Sequence, residues 1–142
     1  MQKMFIGGIA ILSVILNCCV GIGNSSMSLN EVEDFIGAEL PSAATGIHYK
    51  SDEGIDRIVY LRFQLPGEDV EQFLASINFN ETLQASSQPF PATAGSDLEW
   101  WLKNRPKSFA GGSTISGNQV QEVLVDRSDP AVQTIYLRVY ER

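Results

Sequence analysis

Two nine-residue stretches, RIVYLRFQL at Arg57–Leu65 and QTIYLRVYE at Gln133–Glu141, alternate apolar and polar side chains. In an extended chain successive side chains point to opposite faces, so Val59, Leu61, Phe63 and Leu65 share one side and Ile58, Tyr60, Arg62 and Gln64 the other. On a helix the same residues would scatter around the axis and leave no continuous apolar stripe. The chain is therefore predicted to build a sheet with one apolar face and one face of tyrosine, arginine and amide.

The flanking sequence supplies partners for both strands. IHYK at residues 47–50 precedes the first, across the turn residues Ser51-Asp52-Glu53-Gly54, and VQEVLVDR precedes the second, across Ser128-Asp129-Pro130-Ala131. Three helices are expected. Ser28-Leu29-Asn30-Glu31 is a capping box, followed by Leu29, Val32 and Ile36 at helical spacing and by Gly37 as a stop. Val70, Phe73, Leu74 and Ile77 fall at i, i+3, i+4 and i+7. Ser96-Asp97-Leu98-Glu99 reads as a second capping box opening the helix DLEWWLKN, with Trp101 on the side of Leu98 and Leu102 and Trp100 turned away. Residues 79–95 read as a long polar connector pinned by Phe90, and the glycine-rich KSFAGGSTISGN as a loop. The expected architecture is an α+β, two-layer domain: an antiparallel sheet of two hairpins with helices packed on one face.

The first 23 residues read differently from the rest. One lysine, an apolar run from Met4 to Leu16 and then small residues have the layout of an export signal, and the run is short for a membrane span. Ile15-Leu16-Asn17-Cys18 is similar to a bacterial lipobox, which makes Cys18 the expected lipid attachment residue, although Asn17 replaces the small residue such a motif carries there. Gly21-Ile22-Gly23 suits ordinary signal peptidase, and without cleavage the segment would remain as an anchor. Residues 24–142 are then a single extracytoplasmic domain, either lipid-anchored at a bacterial cell envelope or secreted. Both cysteines, Cys18 and Cys19, lie in the leader. The domain thus lacks the thiols for a disulfide, a thiolate metal site or a cysteine nucleophile.

A further stretch carries a resemblance. LPSAATGIHY, then GIDRIVYLRFQLP and DVEQFL, covering Leu40 to Leu74, resembles small uncharacterised bacterial lipoproteins in which a Leu-Pro-x-Ser-Ala stretch leads into a strand, an Arg-Phe strand and a helix ending in Phe-Leu. The resemblance implies an envelope location and brings no catalytic residues.

Charge and composition narrow the function. With 10 basic and 17 acidic residues the net charge is −7, which disfavours nucleic acid and peripheral attachment to anionic lipid. The single histidine, His48, sits on a strand without a nucleophile-elbow motif, and a histidine-based metal centre needs more than one. No metal, cofactor or catalytic residue is expected. The carboxylate pairs Asp97/Glu99 and Glu68/Asp69 keep open an alternative, a secreted hydrolase acting on cell-wall or glycan material. The leading expectation is a domain that binds an envelope protein or ligand. Its candidate face is the polar side of the sheet, Tyr60, Arg62, Tyr136, Arg138 and Tyr140, with Trp100 at the margin, since tyrosine, tryptophan and arginine dominate interface hot spots. Oligomeric state is left open.

Overall fold

A computed structural model describes residues 27–142. The signal segment 1–23 and Cys18 lie outside the described residues. Within them the chain forms mostly sheet, with two short helices. The elements are α1 (Leu29–Ile36), β1 (Thr45–Glu53), β2 (Arg57–Pro66), α2 (Val70–Ser76), β3 (Gln84–Ala85), β4 (Phe109–Ser116), β5 (Gln119–Asp126) and β6 (Val132–Glu141). All six strands join one antiparallel sheet in the order β1-β2-β6-β5-β4-β3.

Both capped ends of α1 follow from its sequence. The Ser28 hydroxyl accepts from the Glu31 amide at 3.3 Å and the Glu31 carboxylate accepts from the Ser28 amide at 2.6 Å, so two otherwise unpaired donors are satisfied. Gly37 closes the helix in the left-handed region (φ 84°), where a Cβ is unfavourable. The expected helix at Val70 is present, preceded by a 3-10 turn at Gly67–Asp69. Both expected hairpins are present, and in the β5–β6 loop the carboxylates of Asp126 and Asp129 accept from the amides of Ser128 and Ala131.

The structure corrects three readings. The sheet is larger than two hairpins, because the glycine-rich stretch is not a loop but β4, paired with β5 from Phe109↔Asp126 to Ser116↔Gln119. Its glycines are there for clearance: a Cβ on Gly111 would lie 2.3 Å from the Ser87 carbonyl oxygen, and one on Gly112 3.2 Å from the Phe79 ring. DLEWWLKN is not helical. Ser96 to Trp101 runs as successive turns, with the Leu98 amide donating to Gly95 and the Trp101 amide to Leu98.

Two apolar clusters sit on the two sides of the sheet. Val59, Leu61, Phe63 and Leu65 of β2, Val123 and Val125 of β5, and Ile135, Leu137 and Val139 of β6 cluster with Val32, Ile36, Val70, Phe73 and Leu74 of the helices. The opposite alternation, Tyr60, Leu124 and Tyr136 with Phe109, clusters with Phe90, Leu98 and Trp101 from the segment 86–107. That segment lies as a strap across the sheet and contains no regular element.

Candidate functional site

Strand register resolves the strap-side face into cross-strand rows. Nearest the β1–β2 turn lie Ile115, Val120, Tyr140, Ile58 and Asp52; next Ser113, Glu122, Arg138, Tyr60 and Lys50; then Gly111, Leu124, Tyr136, Arg62 and His48. The five strand residues expected to share a face therefore do. Tyr60 opposes Arg138 and Arg62 opposes Tyr136, while Tyr140 lies one row further on.

Much of this face is covered by the chain itself. Trp101, 3% exposed, stands edge-on to Tyr60 (ring centroids 5.1 Å, 89°) and Tyr136 (5.4 Å, 86°) and tilted against Phe90 (5.1 Å). Edge-to-face pairs of this kind contribute roughly 0.5–1.5 kcal/mol each beyond area burial. Tyr136 is consequently buried and Tyr60 half-buried. Gly95, at φ 67°, permits the fit: a Cβ there would fall 2.3 Å from the indole. Sequence reading placed Trp101 on the Leu98 and Leu102 side of a helix and missed its role as the plug. The signal was the adjacency of two tryptophans, which no helix can aim at one surface, because neighbours diverge by about 100°.

Trp100 takes the margin. Half-buried, it stacks on exposed His48 (5.6 Å, 18°) and meets Trp101 edge-on at 6.0 Å. Desolvation first, and the Arg62 charge second, hold the His48 pKa below its ordinary 6.5. Arg62 is half-buried as a residue, and its guanidinium makes no ion pair among the described residues; its hydrogen bond is a long one, 3.4 Å to the Gly46 carbonyl.

The other cations of the face are committed. Arg138 donates to Glu122 at 2.8 Å, with both side chains largely buried, and its guanidinium lies 4.6 Å from the Tyr140 ring centroid and 5.9 Å from that of Tyr60. Desolvation works against its charge, but the hydrogen bonds to Glu122 and Tyr60 prevail and its pKa is raised. Lys50 donates to Asp97 at 2.9 Å, tying β1 to the strap. That contact raises the Lys50 pKa and lowers that of Asp97.

The pairs considered for hydrolysis are separately engaged or dispersed. Asp97 is held by Lys50, and Glu68 and Asp69 occupy the 3-10 turn before α2. Among the described residues no group of three or more His, Cys, Asp or Glu is placed to hold a metal ion, and no helix is long and apolar enough to cross a membrane. A groove of about 370 Å³ beside α1 is lined by Met27, Glu31, Asp34, Phe35, Glu53 and Arg57; another of the same volume runs along the strap between Gln88 and Arg105.

Comparison with protein-family models, with curated proteins and with solved structures returns no match.

Proposed function

We propose that the chain is an extracytoplasmic α+β domain from residue 24 onward, with its helices layered on one sheet face, held at a bacterial envelope by a lipid on Cys18, and acting by binding. The resemblance of residues 40–74 to small bacterial lipoproteins supports the location. The binding surface is the uncovered margin of the strap-side face: Arg62, the His48–Trp100 stack, and Tyr140 beside Arg138. One observation carries this reading. Arg62 is a half-buried residue whose guanidinium has no carboxylate partner among the described residues, placed opposite exposed His48, which an aromatic ring caps. A cation without a carboxylate partner, next to a stacking platform, offers an incoming group a charge-assisted hydrogen bond and a flat apolar contact at once. Tyr60, Tyr136 and the Arg138–Glu122 pair hold the surface in shape from beneath.

The test separates surface from support. The double variant Arg62→Gln/Trp100→Ala should retain the sheet by circular dichroism yet lose the proteins or ligands that the parent chain captures from bacterial envelope extract. Unchanged capture removes this surface from consideration. Intact mass of the chain expressed in a bacterial host tests the tether: a diacyl or triacyl group on Cys18 supports it, and an unmodified start at Asn24 replaces it with secretion.

A further inference from the structure

The groups of the open margin meet at one place, a bulge in β1. Between Thr45 and His48 this strand carries one residue more than β2 opposite, with Gly46 at φ 58°. A glycine in the left-handed region is the usual first residue of such a bulge, and the extra residue leaves the ladder. The Gly46 carbonyl is turned toward Arg62, whose guanidinium donates to it at 3.4 Å. Gln64, the next residue of β2 on the same face, comes to the same point. A Cβ on Gly46 would lie 3.3 Å from the Gln64 Oε1 and 3.6 Å from a terminal nitrogen of Arg62. Two polar side-chain ends thus converge over a position that glycine keeps clear. Both residues are half-buried, and the Gln64 carboxamide has no hydrogen-bond partner among the described residues.

Charge and shape select what fits there. Lys50 is committed to Asp97 and Arg138 to Glu122, whereas the row of Arg62, which is Gly111, Leu124, Tyr136, Arg62 and His48, holds no acid. A lone guanidinium on a chain of net charge −7 suits a single negative charge and disfavours a dense polyanion. Its planar fork matches a carboxylate. An extended peptide ordinarily brings its groups to a sheet edge by adding a strand, and the bulge obstructs that at β1. The remaining groups suit a hydroxylated ring instead. Exposed His48, stacked on Trp100 at 5.6 Å, forms a flat shelf, and the C–H side of a pyranose packs on such a shelf with its positive hydrogens against the negative aromatic face. The Gln64 carboxamide and the exposed Thr45 hydroxyl opposite it can each donate to and accept from sugar hydroxyls.

We infer, resting on the binding surface proposed above, that its ligand is a saccharide bearing a carboxylate. The carboxylate meets Arg62, a ring hydroxyl meets Gln64, and the ring lies on the His48–Trp100 stack.

A matched set of probes separates these parts. Methyl glucuronide and methyl glucoside differ only in whether the exocyclic carbon is a carboxylate or a hydroxymethyl group, and acetate supplies the carboxylate without the ring. Titrated at one pH into the full chain and followed through the ring signals of the single histidine, the glucuronide should shift His48 and bind about tenfold more tightly than either of the others. Arg62→Gln should erase the preference and leave the two glycosides equal. Gln64→Ala should weaken both glycosides roughly threefold and keep their ratio. Equal binding of the two glycosides by the parent, acetate or an acidic dipeptide binding as tightly as the glucuronide, or no response to any probe would each overturn the inference. The capture experiment on Arg62→Gln/Trp100→Ala judges the surface separately. Capture lost by that variant in a chain that ignores the glucuronide keeps the surface and overturns the saccharide, and capture retained overturns both.

Discussion

One alternation of the sheet shares an apolar cluster with side chains that two regular helices supply at helical spacing, Val32 and Ile36 from α1, Val70, Phe73 and Leu74 from α2. The strap-side face is closed by a segment with no helix or strand, which reaches the sheet through Phe90, Leu98 and Trp101. Regular cover distributes its contacts over many positions, each replaceable in kind. Irregular cover concentrates them, so a single indole meets Tyr60, Tyr136, Phe90 and Trp100. The difference predicts where the molecule is fragile and where it is tunable.

The largest expected effect tests whether the strap is a second core or only a loop laid on the surface. Trp101→Ala should cost about 3–5 kcal/mol by chemical denaturation, the same as Phe73→Ala under the other face, where Phe73 packs edge-on to Phe63 at 4.9 Å. Equal losses place the two faces on one footing. A loss below about 1 kcal/mol for Trp101→Ala, the range of ordinary surface changes, breaks the comparison and makes the strap dispensable.

How far each face was legible in the sequence follows the same division. The period of 3.6 in Val70–Ile77 and the capping box at Ser28 announce local structure, because local hydrogen bonds and one apolar stripe are enough to define it. The polar alternates of β2 and β6 were likewise placed on one face by period alone. DLEWWLKN carries equally good local signals, yet the segment between Gly95 and Pro106 is short for a helix that must sustain itself, and both tryptophan rings find partners on the sheet only when the backbone turns. β4 was hidden for the opposite reason. Glycine usually marks a loop, but at Gly111 and Gly112 it makes room for the strap backbone and the Phe79 ring, a tertiary demand without a local signature. Arg62 and Trp100 could be named from the sequence, whereas the covering of Tyr60 and Tyr136 could not.

A smaller effect sharpens the contrast. Of the four positive-φ glycines among the described residues, one at the end of α1 and one in the strap make the contrast: a Cβ on Gly37 meets nothing within 4 Å, while one on Gly95 strikes the Trp101 indole. Gly37→Ala should therefore report backbone strain alone, about 1–2 kcal/mol. Gly95→Ala should add the overpacking term, roughly 1–3 kcal/mol more, and should shift the near-ultraviolet tryptophan signal that Gly37→Ala leaves in place. Equal costs would mean that the strap yields to the methyl group and that its fit to Trp101 is loose.

The smallest effect concerns the open margin, where the strap meets His48. The folded imidazole titrates below 6.5, chiefly through desolvation and secondarily through Arg62. The unfolded chain therefore binds the proton more readily. The site's contribution to stability is complete above pH 6.5 and is lost as the pH falls through the folded pKa. Since His48 is the single histidine, its titration can be followed by NMR without assignment. Trp100→Ala uncaps the ring and should move the pKa back toward 6.5, and Arg62→Gln should move it the same way by less. Stability then becomes flatter with pH between the two values in both variants. If Trp100→Ala leaves the titration where it was, the stacked indole is not what dries the imidazole, and the strap's reach ends at Trp101. If Arg62→Gln produces the larger shift, charge rather than cover governs this margin, and Arg62 becomes the element that an incoming group must answer first.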